Sequence, residues 1–368
     1  MMSTAKHNLL GMPRDELEAF VAQLGFKPFH ARQIMKWIYR RGVADFDAMT
    51  DLSLKLRAAL AQTAEIVEPE VSTSQASRDG TRKWLLRMGE GQRVETVYIP
   101  ETSRGTLCIS SQVGCALDCS FCATGAQGFN RNLSAAEIVG QVWLAKKALG
   151  EYETGERIVT NVVLMGMGEP LANYRSVLPA LRIMLDELGF ELSRRRVTLS
   201  TSGLVPQVRR LGEECNVALA VSLHAPNDPL RDQLMPINRK HPIAELLEAC
   251  WHYAGEQTGR HVTFEYVMLD GVNDQPKHAR ELISLLRNRP AKVNLIPFNP
   301  FPGTEYSRSP KAVIENFRDM LLGAGIRATI RRTRGDDIDA ACGQLAGRVN
   351  DRTTARLGSK TFQVTVQA

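Results

Sequence analysis

The chain has 368 residues, of which 43% are hydrophobic and 23% are charged, and its formal net charge is +6. No apolar run approaches the roughly 18–20 residues that a membrane-spanning helix needs, and the first residues lack the apolar core of a secretory signal. Seven cysteines in a chain of this length do not indicate the disulfide scaffold of a small secreted protein. We therefore expect a globular, cytoplasmic protein without a membrane partner.

The organisation along the chain predicts a small domain followed by a large one. Leu17, Phe20, Val21 and Leu24 recur at helical spacing and predict a helical domain at the N-terminus. Strand-like runs follow it, and the later residues carry an excess of basic side chains. The expected segments are a helical domain (1–66), a β connector (67–103), a catalytic domain (104–345) and a basic tail (346–368).

Basic residues lie among the helices of the first domain and admit two interpretations. They form either a solvated face or a surface that contacts nucleic acid. Charge patterns of this kind are usually solvated, so the sequence alone favours the first interpretation. The residues are Lys27, His30, Arg32, Lys36, Arg40 and Arg41.

Strand-like and helix-like runs alternate from about residue 104 to 330. Such alternation predicts parallel strands joined by helical crossovers, and six units are too few to close an eight-stranded barrel. We therefore predict an α/β fold, an open (β/α)6 partial barrel, with its chemistry at the carboxyl ends of the strands. The predicted strands are Thr106–Ser110, Asn161–Met165, Arg196–Ser200, Val217–Leu223, Val262–Met268 and Lys292–Pro297.

Three cysteines follow the first predicted barrel strand at the spacing C-x-x-x-C-x-x-C: Cys115, Cys119 and Cys122. Closely spaced thiolates hold iron–sulfur clusters, and a 4Fe–4S cluster bound by only three leaves one iron open to another ligand. A structural zinc site is the alternative, but zinc is normally enclosed by four protein ligands, and the next histidine downstream is His224. The triad therefore favours a cluster over zinc.

Polar residues recur where the later predicted strands end. The second strand runs into Gly166-Met167-Gly168-Glu169, where glycine permits close backbone approach to a ligand and Glu169 offers a carboxylate. A single serine, asparagine or histidine is usually structural. Recurrence at successive strand ends is what favours one shared ligand. The further residues at these ends are Ser200, Ser222, Leu223, His224 and Asn299.

The triad, with an aromatic residue before Cys122, resembles that of the radical S-adenosylmethionine (SAM) superfamily. The resemblance implies one 4Fe–4S cluster per chain on the three thiolates, with SAM on the open iron. It implies that Gly168 and Glu169 hold the methionine amino group of SAM. The other polar strand ends then bind the same cofactor.

Four segments narrow the resemblance, and they occur in the expected order. The sequence is similar to the RlmN-type dual-specificity RNA methyltransferases from the helical domain to about residue 350. That family methylates carbon 2 of one adenosine in 23S rRNA and of the adenosine beside the anticodon in tRNAs. A sister family that methylates carbon 8 of the same rRNA adenosine shares the cysteines and is the alternative. The segments are 105–131, 163–170, 222–228 (SLHAPND) and 333–345 (TRGDDIDAACGQL).

Two thiols and one carboxylate gain roles only through this resemblance. It implies that Cys342 takes a methyl group from one SAM and that a radical from a second SAM activates this methyl group, so that two SAM are consumed per methylation. Glu95 then accepts the ring proton, and Cys108 forms a transient disulfide with Cys342. Without the resemblance, Glu95 is a solvated strand residue and both thiols are ordinary buried cysteines. Cys215 and Cys250 keep that interpretation.

The resemblance also implies partners. They are 23S rRNA and tRNA, docked in part by the helical domain, and an electron donor such as a flavodoxin-type reductase; the enzyme is expected to be a monomer. The target base must leave its stack to reach a buried radical. The basic tail and several arginines are candidates for phosphate contacts, which are independent of sequence. These arginines are Arg194, Arg195, Arg196, Arg331, Arg332 and Arg334.

Two other classes of protein share some of these features. A zinc-stabilised RNA-binding protein without catalysis would have a fourth Cys or His close to the triad. A radical SAM enzyme that activates a glycyl site in another protein would leave Cys342 and Cys108 without a role.

Overall fold

The computed structural model of the chain describes residues 6–255, 261–341, 343–345, 347 and 349–352. The expected basic tail therefore lies outside the described residues except at 347 and 349–352. None of the helices within these ranges has the length and apolar character that crossing a membrane requires.

The N-terminal domain is helical, with one short pair of parallel strands. Leu17, Phe20 and Val21 are buried along one helix face, as their spacing predicts. Ser53 caps the last helix by accepting a hydrogen bond from the Leu56 amide. The elements are β1 (His7–Asn8), α1 (Arg14–Gln23), α2 (Phe29–Met35, continued by a π-helical turn, Lys36–Arg40), α3 (Leu54–Thr63) and β2 (Ala64–Glu65).

One sheet of ten strands forms the centre of the molecule. A separate two-stranded antiparallel pair, β7 and β8, follows its fourth strand in the chain. The remaining strands are β3 (Val71–Ala76), β4 (Arg82–Arg87), β5 (Arg93–Glu101), β6 (Arg104–Cys108), β7 (Gln112–Gly114), β8 (Phe129–Asn132), β9 (Asn161–Leu164), β10 (Val197–Thr201), β11 (Ala218–Ser222), β12 (Val262–Met268), β13 (Ala291–Pro297) and β14 (Arg327–Ile330).

The order of strands in the large sheet is β14-β13-β12-β11-β10-β9-β6-β5-β4-β3. All pairs from β6 to β14 are parallel, and β3, β4 and β5 extend the sheet by antiparallel pairing. Thr106 of β6 lines the same groove as Thr263 of β12 and Thr329 of β14, which are distant in this order. The sheet therefore curves into an open partial barrel.

Helices connect the parallel strands and cover the sheet. The Ser134–Glu137 capping box predicted from the sequence opens α5, because each side chain accepts a hydrogen bond from the other residue's amide. The helices after the first domain are α4 (Ala123–Ala126), α5 (Ala135–Ala148), α6 (Glu151–Thr154), α7 (Tyr174–Leu185), α8 (Val205–Glu214), α9 (Asp228–Leu234), α10 (Ile243–Ala254), α11 (Pro276–Leu286) and α12 (Lys311–Gly323).

The helical domain packs on the barrel through polar as well as apolar contacts. The Trp143 indole of α5 donates a hydrogen bond to the Ile38 carbonyl at 2.9 Å. Arg40 forms an ion pair with Glu191 at 2.7 Å, and Arg41 stacks on the Trp37 ring. Four of the six basic residues considered for RNA contact thus have partners within the protein, since His30 also binds Gln33 and Arg32 also pairs with Glu18.

The sheet is larger than the sequence indicates. A seventh parallel strand, β14, pairs with β13, although it has only four residues, of which Arg327 and Thr329 are exposed. Residues 67–103, expected to form a β connector, supply three antiparallel strands, and these belong to the large sheet because they are hydrogen-bonded in series to β6. The cysteine triad follows the short strand β7 rather than β6 directly.

Candidate active site

A cavity opens at the carboxyl ends of the parallel strands. Counting the open solvent at its mouth, about 800 Å³ of it is free of protein atoms. Five neighbouring strands, β9 to β13, contribute wall residues, which include Leu164, Ser200, Ser222, Val267 and Ile296. The cavity is thus at the edge of the sheet where the sequence predicts the chemistry.

The cysteine triad lies on one tight loop beside this cavity. Cys115, Cys119 and Cys122 are half-buried, and Cys122 lines the cavity wall. The Cys115 amide donates to the Gly128 carbonyl at 2.8 Å, and the Cys122 amide donates to the Cys119 carbonyl at 3.1 Å. A side chain on Gly114, whose φ is +80°, would strike the Gly128 carbonyl. These backbone contacts fold the short segment that carries the three thiols into a tight loop.

The electrostatics of this loop suit a positively charged metal cluster. Desolvation raises the pKa of the Cys115 thiol to about 12, and it raises the pKa of Cys119 well above its ordinary value. Negative charge on Cys122 raises both further. Three thiolates in so small a volume need a compensating cation, which an iron–sulfur cluster supplies. Within the described ranges no three His, Cys, Asp or Glu side chains already enclose a metal-binding point.

Glu169 projects from the loop after β9 and is only 3% exposed. Its Oε1 accepts from the Leu171 amide at 2.9 Å, and its Oε2 accepts from the Ser202 amide at 2.7 Å. Burial raises the pKa of this carboxyl group. Each carboxylate oxygen can accept a second hydrogen bond. Glu169 is thus held rigidly at the cavity wall and keeps the capacity to bind an ammonium group.

Gly168 fits this wall because it lacks a side chain. Its φ is +97°, a conformation that other residues rarely adopt, and a Cβ there would overlap the Gln112 side chain. Gln112 in turn accepts a hydrogen bond from the Glu169 amide at 2.8 Å. The glycine therefore allows Gln112 to fix the backbone that carries Glu169.

Four of the polar strand ends chosen from the sequence line the cavity: Ser200, Ser222, His224 and Asn299. The His224 backbone has φ +57°, and its Nδ1 accepts a hydrogen bond from the Val267 amide at 2.9 Å. Burial lowers the pKa of His224 to about 3, so the ring is neutral and Nε2 carries the proton.

Leu223 differs from its neighbours. Its side chain is fully buried in the main hydrophobic core and is not among the residues that line the cavity. Only its main chain faces polar groups, because its carbonyl accepts a hydrogen bond from Arg231 at 3.1 Å. Leu223 directly follows Ser222, the last residue of β11. Successive side chains along a strand point to opposite faces, so the Leu223 side chain points to the core when that of Ser222 points to the cavity.

Glu95 and Cys108 lie together on the antiparallel part of the sheet. Cys108 of β6 is opposite Val97 of β5, two residues from Glu95, so the two functional side chains project from the same face. Glu95 is buried, which excludes the solvated position considered above, and it forms an ion pair with Lys83 of β4 at 3.1 Å. Neither residue lines the cavity.

Cys342 lies outside the described residues, but the residues around it contact both regions. On its N-terminal side, the Asp339 carbonyl accepts a hydrogen bond from Lys83 at 3.2 Å. On its C-terminal side, the Gly343 carbonyl accepts from the Ala123 amide, directly after the triad, at 2.9 Å. Gly343 also lines the cavity. The described residues on the two sides of Cys342 therefore contact Lys83, the ion-pair partner of Glu95, and the triad loop.

Sequence reasoning missed several polar residues of this site. Glu265 lies in the apolar strand β12, lines the cavity and accepts a hydrogen bond from Asn294 at 2.8 Å; burial raises its pKa. A single acid within such a strand was the available signal. Ser202 and Gln112 bind Glu169 through contacts between distant segments, for which the sequence contains no local signal.

Two family models match the chain. The ribosomal RNA large subunit methyltransferase N-terminal domain matches residues 7–66, and the radical SAM superfamily matches residues 109–283. The first range contains the helical domain, and the second contains the triad and the cavity strands β9 to β12.

A protein of Marinobacter nauticus named dual-specificity RNA methyltransferase RlmN is 57% identical to the chain over 349 residues, which is 95% of each sequence. The chain belongs to the RlmN family. The crystal structure of a radical SAM methyltransferase from Sphaerobacter thermophilus has a TM-score of 0.86 and 48% identity, and the match covers 92% of this chain and 99% of that one. These similarities confirm the predicted radical SAM fold and the predicted class of enzyme, a radical SAM RNA methyltransferase.

Proposed function

We propose that this RlmN-family enzyme methylates carbon 2 of one adenosine in 23S rRNA and of the adenosine beside the anticodon in tRNAs. Cys342 carries the methyl group to the base. The observation that carries the proposal is the course of the segment around Cys342, whose neighbours bind Lys83 on one side and the triad loop on the other. The identity with a protein named RlmN favours carbon 2 over carbon 8.

The triad loop and the cavity bind the two cofactors. Cys115, Cys119 and Cys122 hold one 4Fe–4S cluster, and SAM occupies the cavity. When bound, this pair supplies a 5′-deoxyadenosyl radical, and two SAM are consumed per methylation. Glu169 binds the ammonium group of SAM with a carboxylate already fixed by backbone amides. The remaining polar contacts to SAM come from Gly168, Ser200, Ser222, His224 and Asn299. Leu223 contacts SAM through its main chain only.

Glu95 on β5, Cys108 on β6 and Cys342 transfer the methyl group to the adenine base. Carbon 2 of adenine lies between two ring nitrogens and is too electron-poor to take a methyl group as a nucleophile, so the methyl group on Cys342 must first lose a hydrogen atom. The carbon that has lost the hydrogen atom then bonds to carbon 2, and the adduct loses the carbon-2 proton to Glu95, held by Lys83, together with one electron, which the oxidised cluster would take up. The Cys108 thiolate then attacks the Cys342 sulfur: a disulfide forms, the bond between sulfur and the transferred carbon breaks, and that carbon keeps the electron pair and takes a proton to become the methyl group of the product.

The RNA approaches along a basic groove. Arg331, Arg332 and Arg334 line this groove together with Ala340 and Ala341, which precede Cys342. Phosphate contacts there bring the RNA to the methyl-carrying segment without reading its sequence. The helical domain docks another part of the RNA, a flavodoxin-type reductase supplies the electron, and the enzyme works as a monomer in the cytoplasm.

The decisive experiment is an anaerobic reaction of the reconstituted enzyme with 23S rRNA or tRNA and a labelled methyl donor, followed by nucleoside analysis. We expect labelled 2-methyladenosine, and Cys342→Ala abolishes it. Cys215→Ala is the matched control, because Cys215 is a buried thiol at the end of α8 and lines neither the cavity nor the basic groove. Labelled 8-methyladenosine would show that the enzyme has the carbon-8 activity of the sister family. Product formation by Cys342→Ala would refute the role proposed for that thiol.

A further inference from the structure

Arg231 is a charged side chain with no exposed surface. It lies on α9, whose C-terminal residue Leu234 accepts a hydrogen bond from the Ser120 amide at 3.1 Å. Ser120 directly follows Cys119 in the triad loop. The helix that carries the buried guanidinium is therefore attached to the loop that carries the cluster ligands.

Every hydrogen bond of the guanidinium goes to a neutral oxygen. Nε donates to the Leu223 carbonyl at 3.1 Å, and Nη1 donates to Asn238 Oδ1 at 2.8 Å. Nη2 donates to the carbonyls of Ser202 at 2.7 Å and Ser222 at 3.0 Å. These carbonyls belong to the ends of β10 and β11. The side chain thus ties together two strand ends that form the cavity wall.

The acidic residues of α9 bind elsewhere. Asp228 and Asp232 each accept a hydrogen bond from the Asn238 amide group, at 2.9 and 2.7 Å. Leu230 and Leu234, which lie within one helical turn of Arg231 on α9, pack in the same apolar cluster as Cys115, Cys119 and Cys122. The guanidinium is therefore held close to the loop that carries the cluster ligands, and none of its own hydrogen-bond partners is charged.

A buried cation with only neutral partners is costly, and its retention calls for a counter-charge. Three thiolates around a 4Fe–4S core of charge 2+ leave a net charge of about −1, and one-electron reduction makes it about −2. A fixed cation in a region of low dielectric constant stabilises the more negative state more strongly. Arg231 has the position and the charge for this effect.

We propose that Arg231 is the buried counter-charge of the iron–sulfur cluster and raises its reduction potential. Through its hydrogen bonds it is also a positioning residue for the ends of β10 and β11, which bind SAM. This inference rests only on the cluster part of the proposed function and is independent of which RNA carbon is methylated.

The test is an anaerobic redox titration of the reconstituted enzyme, with the reduced cluster detected by electron paramagnetic resonance. Arg231→Met and Arg231→Gln remove the charge, and Arg231→Lys keeps it but cannot reproduce all four hydrogen bonds. For the neutral variants we expect the reduction equilibrium to become at least about tenfold less favourable, a fall of about 59 mV for one electron. We expect Arg231→Lys to keep the wild-type potential but to bind SAM more weakly.

The matched control is Arg209→Met, which removes an arginine of α8 that is partly exposed and paired with Glu248. It should leave the potential unchanged. Equal potentials in wild type, Arg231→Met and Arg231→Gln would overturn the proposal. If the neutral variants fold but hold no cluster while Arg231→Lys holds one, the charge is required and the proposal stands. If Arg231→Lys also holds none, the role is structural and the proposal fails.

The iron and sulfide content and the visible absorbance of the wild-type protein are measured first. A wild-type protein without a cluster would refute the cluster assignment itself, which is a different failure from an unchanged potential.

Discussion

The cofactor cavity and the Glu95–Cys108 region lie on the same sheet but are built in different ways. The cavity uses the carboxyl ends of parallel strands, and its key carboxylate, Glu169, is held by backbone amides. The other region uses antiparallel strands and a distant loop, and its carboxylate, Glu95, is held by the Lys83 side chain. Generating a radical needs a rigid, general device, whereas transferring the methyl group needs groups specific to one reaction.

The two carboxylates also differ in how much their environment depends on single side chains. Backbone amides cannot be removed by mutation, so the Glu169 carboxylate keeps its partners when neighbouring side chains change. Glu95 depends on an ion pair buried on both sides, with side chains 9% and 8% exposed. Removal of one partner of such a pair leaves an uncompensated charge. The Glu95–Cys108 region is therefore the one in which a single substitution can take away the ion-pair partner of a buried charge.

If the two regions act separately, a cysteine substitution in one region should not remove the function of the other. We expect Cys119→Ala to lose iron and methylation, because it removes a cluster ligand. We expect Cys108→Ala to keep its iron, to turn over at least about a thousandfold more slowly, and to accumulate a covalent protein–RNA adduct visible on a denaturing gel. Cys215→Ala, which alters a buried thiol outside both regions, should behave as wild type. Loss of iron in Cys108→Ala would show that the regions are not separable.

Lys83→Met tests the dependence of Glu95 on its ion pair. The substitution removes the ion-pair partner of a buried carboxylate and should lower the free energy of unfolding by about 3–5 kcal/mol, measured by urea denaturation. Lys147→Met is the control, because Lys147 and Glu68 form a pair that is roughly half exposed and such pairs contribute only about 0–1 kcal/mol. Equal effects of the two substitutions would contradict the distinction.

Gly168→Ala tests the cavity wall. The alanine would have to adopt a φ of +97° and overlap Gln112, which should cost about 2–4 kcal/mol of unfolding free energy and weaken SAM binding. Gly155→Ala is the matched control, since Gly155 also has a positive φ, +72°, but nothing lies within 4 Å of its added Cβ. It should cost only about 1 kcal/mol. A SAM affinity unaffected by Gly168→Ala would argue against this wall as the binding site.

The last effect is absent at neutral pH and concerns acid stability. The pKa of His224 is about 3 in the folded protein, against 6.5 for an ordinary histidine. Between these values the unfolded chain binds more protons, so the unfolding free energy rises with pH across this window and His224 adds no further change above it. His224→Asn keeps an acceptor for the Val267 amide but does not titrate. Its unfolding free energy should therefore vary less between pH 3 and 6.5, and identical slopes would contradict a buried neutral ring.

Local patterns were sufficient to predict the fold and most of the cavity. Triad spacing, the Ser134–Glu137 capping box and polar groups at strand ends each involve residues close in the chain. The strand β14 escaped prediction because burial against β13, and not its own composition, makes Arg327–Ile330 a strand. Glu95 could not be recognised as buried, because its partner Lys83 is brought opposite only when β4 and β5 pair.

The contacts between the triad loop and the end of the described chain bear on how the enzyme is made. Gln127 donates to the Gly347 carbonyl at 2.9 Å, and Asn130 donates to the Asn350 carbonyl at 2.6 Å. The Arg352 amide donates to the Phe129 carbonyl at 2.9 Å. Gly347 and Asn350 follow their partners in the loop by 220 residues. A nascent chain therefore completes the triad loop only after all the strands of the barrel have been translated, so a product that terminates before Gly347 carries the three triad cysteines without the segment that secures their loop.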